Sequence, residues 1–142
     1  MNESLKSRLN QIMDRIQSPE FLNNSGLGNE IGFYIFDYPP EEELAVREHV
    51  RFIIENLAKK KPKLKIVHIN LFQLLIDYLK TRNLYDRALD IEKTKGEKAL
   101  HKALKGPLHE EKIAKAFVEA ARPESCNVVM ITGIGNAWPL FR

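Results

Sequence analysis

Asp37 closes a short apolar run, Phe33-Tyr34-Ile35-Phe36, and is followed by Tyr38, Pro39, Pro40 and three glutamates, Glu41, Glu42 and Glu43. An aspartate at the end of a buried strand is where nucleotide hydrolases hold Mg2+. Those enzymes also need a Gly-x-x-x-x-Gly-Lys-Ser/Thr loop to cradle phosphate, and no such loop occurs here. The plainer role for Asp37 is to stabilise the turn, or the N-terminus of the next helix, through its carboxylate. Gly133-Ile134-Gly135 follows an apolar strand, the right place for a phosphate turn, but lacks a third glycine and a following helix. Gly26-x-Gly28-x-x-x-Gly32 precedes a strand, the wrong side for a dinucleotide fingerprint, and reads as a loop.

The remaining chemistry-bearing residues are scattered. His49, His68, His101 and His109 have no second His or Cys at metal-ligand spacing and read as surface or core-edge residues. Cys126, alone at the start of a strand with no identifiable base, reads as an inert buried thiol. No serine stands in a Gly-x-Ser-x-Gly elbow. No catalytic set, metal site or cofactor site emerges, and a non-enzyme is expected.

The elements that would position these residues follow from periodicity. Leu5, Leu9, Ile12, Met13 and Ile16 put one apolar stripe on a helix over 2–17, ended by Ser18-Pro19. Residues 19–31 read as a loop. Residues 32–36, bounded by Gly and Pro, read as a first buried strand. Val46, Val50, Ile53, Ile54 and Leu57 mark a helix over about 40–58. Its end is set by Lys59-Lys60-Lys61-Pro62, because cations suit a helix C-terminus and proline cannot continue it. Residues 64–69 read as a second strand. Asn70 can then cap a helix over about 71–81. Residues 83–121 read as helices broken at Lys95-Gly96 and Gly106-Pro107, and 126–132 as a third strand.

Three buried strands separated by helices imply an α/β fold: a three-layer domain, 1–142, with a small mainly parallel sheet flanked by helices. Ligands of such sheets bind beyond the carboxyl ends of the strands. Those ends are Asp37-Tyr38, Asn70 and Thr132-Gly133, the candidate strand-end site. Trp138, Leu140 and Phe141 follow the last strand and read as core or, for Trp138 and Phe141, as an interface.

Hydrophobic residues make up 44% and charged residues 29% of the 142, as in ordinary globular domains. A single cysteine excludes a disulfide framework and fits a reducing cytosol. No run reaches the roughly 18–20 apolar residues of a membrane span, and no signal peptide is evident, so a cytoplasmic location off the membrane is expected. Charge is uneven. Residues 1–58 hold ten acidic and five basic side chains, whereas 59–142 hold nine acidic and seventeen basic. That basic half reads as a solvated face, with nucleic acid or an acidic protein as the functional alternatives.

The run Phe21-Leu22, Gly26-Leu27-Gly28-Asn29-Glu30, Phe33-Tyr34-Ile35-Phe36-Asp37-Tyr38-Pro39-Pro40, with Glu43-Leu44-Ala45-Val46-Arg47, resembles the BrxB family of bacterial BREX phage-defence systems. Ile131-Thr132-Gly133-Ile134-Gly135-Asn136-Ala137-Trp138-Pro139-Leu140-Phe141-Arg142 resembles the family's second signature. Family members continue past this point, so the resemblance makes the chain an N-terminal portion. It implies a role in phage defence within a multiprotein assembly whose companions include an alkaline-phosphatase-fold protein (PglZ) and other BREX proteins, DNA being reached indirectly; together with the lack of a catalytic set and the terminal aromatics, it makes a non-enzymatic assembly module binding that companion the expectation. A homodimer is the commonest form of self-association. The alternatives are a degenerate nucleotide-binding domain using Asp37, Asn70 and Thr132, and a nucleic-acid-binding module using Lys59–Lys65 and the lysines of 93–115.

Overall fold

Leu5, Leu9 and Ile16 are buried along one side of helix α1 (Glu3–Ile16), as their spacing requires. The computed structural model describes residues 3–23 and 32–141; the glycine-rich stretch expected as a loop lies mostly outside them. Ser18 stops α1 and caps a one-turn helix, α2 (Pro19–Leu22), its hydroxyl accepting from the Phe21 amide at 3.2 Å. Helix α2 occupies the start of the expected loop. Pro40–Glu42 forms a 3-10 turn that leads into α3 (Glu43–Lys60). Val46, Val50, Ile53 and Leu57 are the buried face of α3, and α1 packs against this helix. These elements belong to a first compact unit, Met1–Ile66.

The second unit, Val67–Arg142, holds the sheet. Strands β1 (Ile66–Asn70) and β2 (Val128–Thr132) pair in parallel. Between them run α4 (Leu71–Thr81), α5 (Tyr85–Lys95), α6 (Glu97–Leu104) and α7 (Glu110–Ala121). A one-turn helix, α8 (Ile134–Ala137), follows β2. Gly96, at φ +80°, makes the break between α5 and α6 that a residue with a Cβ adopts only under strain. Leu75, Leu79, Ala88, Leu100, Leu104, Leu108, Ile113 and Ala137 form one buried cluster. The fold is thus a small α/β arrangement, a parallel sheet flanked by helices.

Two expectations need correction. The sheet has two strands among the described residues, because residues 32–39 form no strand. Gly32, at φ +58°, and the amide-less Pro39 and Pro40 bound the segment. Its aromatic rings find partners on α1 and α2 instead of on a neighbouring strand. A short apolar run between Gly and Pro fits a strand pattern without fixing it. In addition, Gly133 does lead into a helix, although only one turn of it.

Candidate interaction site

In the first unit, residues 33–38 form a strap held by cations of α1. The Arg8 Nη2 donates to the Asp37 backbone carbonyl at 2.9 Å and to its Oδ1 at 2.7 Å. The same guanidinium lies 4.7 Å from the Phe36 ring centre, and Arg15 lies 5.3 Å from that of Tyr34. Tyr34 also packs on Phe21, ring centres 4.4 Å apart. Exposed cation–π contacts contribute about 0.5–1 kcal/mol each, so the hold is distributed over several modest terms. Ile35, between these anchors, is 95% exposed, and Phe33, just before them, is 80% exposed.

The far end of the strap is tied to α3. Tyr38 donates its phenolic O–H to Glu43 Oε2 at 2.6 Å, and Arg47 Nε donates to Glu43 Oε1 at 2.8 Å. Partial burial, followed by the Glu43 carboxylate, pushes the Tyr38 pKa up to about 12. The Tyr38 hydrogen bond, helped by Arg47, holds Glu43 below the usual carboxylate range. Asp37 therefore neither caps the next helix nor stands at a strand end; it is the acid partner of Arg8. Tyr38 is the second anchor.

In the second unit, β1 and β2 bring Asn70, Thr132 and Gly133 together. Asn70 Oδ1 accepts from the Gln73 amide at 3.1 Å, the helix cap that its position after β1 predicts. Thr132 Oγ1 lies 2.8 Å from His68 Nε2. Shielding by surrounding protein lowers the His68 pKa below its ordinary value. Gly133 has φ +70°, and a Cβ there would come within 2.9 Å of Asn70 Cγ. Glycine is required twice over, by backbone conformation and by close approach. Phe141 and Leu140 pack, half-buried, on the unit's core, whereas Trp138 is 64% exposed.

The predicted strand-end residues thus divide between the two units: Asp37 and Tyr38 in one, Asn70, Thr132, Gly133, Trp138 and Phe141 in the other. The side chains of Asp37, Tyr38, Asn70 and Thr132 each have a polar partner within their own unit. Among the described residues, no three His, Cys, Asp or Glu side chains gather where a metal ion could sit. Cys126 is half-buried, with Sγ 3.6 Å from the Pro123 carbonyl. Arg8, Arg15 and Arg47 escape a reading of the sequence by strand ends. The Glu43/Arg47 pair carries an i,i+4 signal, but Arg8 and Asp37 are 29 positions apart and carry no local one.

A family model described as "BREX protein BrxB" matches residues 67–142, the span of the second unit. A BREX protein BrxB of Escherichia coli O9:H4 (strain HS) is 44% identical over 138 residues, covering 97% of this chain and 68% of that protein. A BREX protein BrxB of Bacillus cereus (strain H3081.97) is 33% identical over 142 residues, covering 97% of this chain and 72% of that protein. No solved structure matches the chain.

Proposed function

The chain belongs to the BrxB family of BREX phage-defence systems, and from that premise we propose that it acts as a non-enzymatic assembly component in the cytoplasm, binding the alkaline-phosphatase-fold companion PglZ. One observation carries the reading: Phe33 and Ile35 stand out to solvent on a backbone that Arg8 and Glu43 anchor at the other end of the strap. Large apolar side chains presented on a fixed backbone lose little conformational freedom on docking, which is what interface anchors need. Trp138 offers a second exposed aromatic in the other unit. The half-buried Phe141 serves the core of that unit.

The test is size exclusion with light scattering, on this chain alone and mixed with the companion. A mixed complex is expected, lost in the double variant Phe33→Ser/Ile35→Ser. Both residues are exposed, so circular dichroism should be unchanged. Separate peaks for the natural chain would overturn the choice of partner. A complex that survives the double variant would move the interface off the strap, and Trp138→Ala would then be tried. The mass of the chain alone reports whether it pairs with itself.

A further inference from the structure

Lys59, Lys60, Lys61, Lys63 and Lys65 are five lysines within seven residues, and all five are exposed. Lys59 and Lys60 close the last turn of α3. The Lys61 amide then donates to the Leu57 carbonyl, and the Leu64 amide to the Lys61 carbonyl, each at 2.8 Å. The backbone of the tract is therefore bonded into a turn, with Pro62 at its centre. A helix C-terminus favours nearby cations, but its dipole amounts to about half a charge and falls off within one turn. Five positive charges exceed what that half charge asks for.

Among the described residues, Lys59, Lys60, Lys61 and Lys63 form no ion pair. Glu55, one turn before Lys59, makes none with it. The acidic cluster Glu41–Glu43 is at the other end of α3. Eighteen helical residues span about 27 Å, more than three Debye lengths at about 8 Å each in physiological salt. Lys59, Lys60, Lys61 and Lys63 are thus a patch of unpaired positive charge on ordered backbone.

The residue types select the ligand. Lysine is depleted at protein–protein interfaces, but it is an ordinary phosphate contact, and neutralising phosphates releases counterions. The tract has no arginine to read base edges in bidentate fashion and no aromatic ring on which an unpaired base could stack. We propose that Lys59, Lys60, Lys61 and Lys63 form a sequence-independent contact for the phosphate backbone of duplex nucleic acid. This stands apart from the companion-binding reading and rests on different residues.

Fluorescence anisotropy of the full chain against labelled duplexes of unrelated sequence, in DNA and RNA form, tests it. Binding should be similar across sequences. With about four phosphates neutralised, affinity should fall about a hundredfold between about 50 and about 200 mM salt. Lys59→Gln/Lys60→Gln/Lys61→Gln/Lys63→Gln should weaken binding at least about tenfold at the lower salt and flatten the salt slope. Lys93→Gln/Lys95→Gln/Lys98→Gln/Lys102→Gln removes the same charge from exposed positions of α5 and α6 and should change binding far less. Failure of the natural chain to bind either duplex at low salt would overturn the proposal. So would equal losses in the two variants. Competition by polyglutamate as strong as by duplex would overturn it in favour of an acidic polypeptide. A preference for DNA or for RNA identifies which duplex the site takes.

Discussion

Tyr38 and Glu43 illustrate how little of a polar contact is written locally. The five-residue offset between them is no regular helical spacing, yet their 2.6 Å hydrogen bond ties the strap to α3. A neutral phenol donating to a carboxylate raises the first pKa and lowers the second. A raised phenol pKa means stabilisation that is complete below the ordinary value of 10 and is lost as pH climbs towards about 12. A lowered carboxyl pKa means stabilisation present above 4.5 and lost as pH falls through the folded value. Tyr38→Phe should therefore cost about 1 kcal/mol near neutral pH, the worth of one partly exposed hydrogen bond. In urea unfolding, its gap to the natural chain should close above pH 10 and narrow below 4.5. A gap that is flat across pH would show that the bond contributes nothing. At this scale Asn70 was legible, because a cap and its amide are three residues apart. Arg8 and Asp37 were not, because their meeting depends on how the chain folds back.

At the scale of elements, spacing carries further. The stripes of α1 and α3, the boundaries of α4 and the glycine break before α6 all follow from apolar periodicity and local stops. The run at 32–36 shows the limit of that method. Its residue types favour strand, but a strand needs a partner edge, and its rings settle on Arg8, Arg15 and Phe21, which belong to helices and offer no such edge. Gly133 shows the reverse case, where sequence marks a turn and structure adds the reason. Gly133→Ala should destabilise the chain by about 1–3 kcal/mol, since it imposes left-handed strain as well as collision with Asn70. Gly135→Ala, two residues on, meets nothing within 4 Å and lies in helical backbone. It should be neutral or stabilise by up to about 1 kcal/mol. Thermal melts of the two variants decide the matter, and equal effects would refute the assignment.

Across the whole molecule, charge asymmetry was readable from composition, and the structure concentrates its sharpest part in one exposed turn. That turn closes the first compact unit, one residue beyond Lys65. Exposed basic residues outside the packed cores are favoured sites of nicking. Trypsin under native conditions should cut first after Lys59, Lys60, Lys63 or Lys65, the Lys61–Pro62 bond being resistant. Mass spectrometry of the earliest fragments checks this, and a first cut within α5 or α6 would contradict it. No helix among the described residues is long and apolar enough to cross a membrane.

Trp138 is the chain's single tryptophan, and it sits mostly in water beside a buried core. The molecule consequently carries one built-in optical probe, confined to its second unit. Excited at the red edge of the absorption band, where tyrosine is silent, the chain should emit with the long wavelength of a wetted indole and be readily quenched by acrylamide. A ligand seated on the turn after β2 would shift that emission to the blue and shield it from quencher. One seated on the strap at 33–38 would act on a unit without an indole of its own, and so leave the colour to report only what reaches the second.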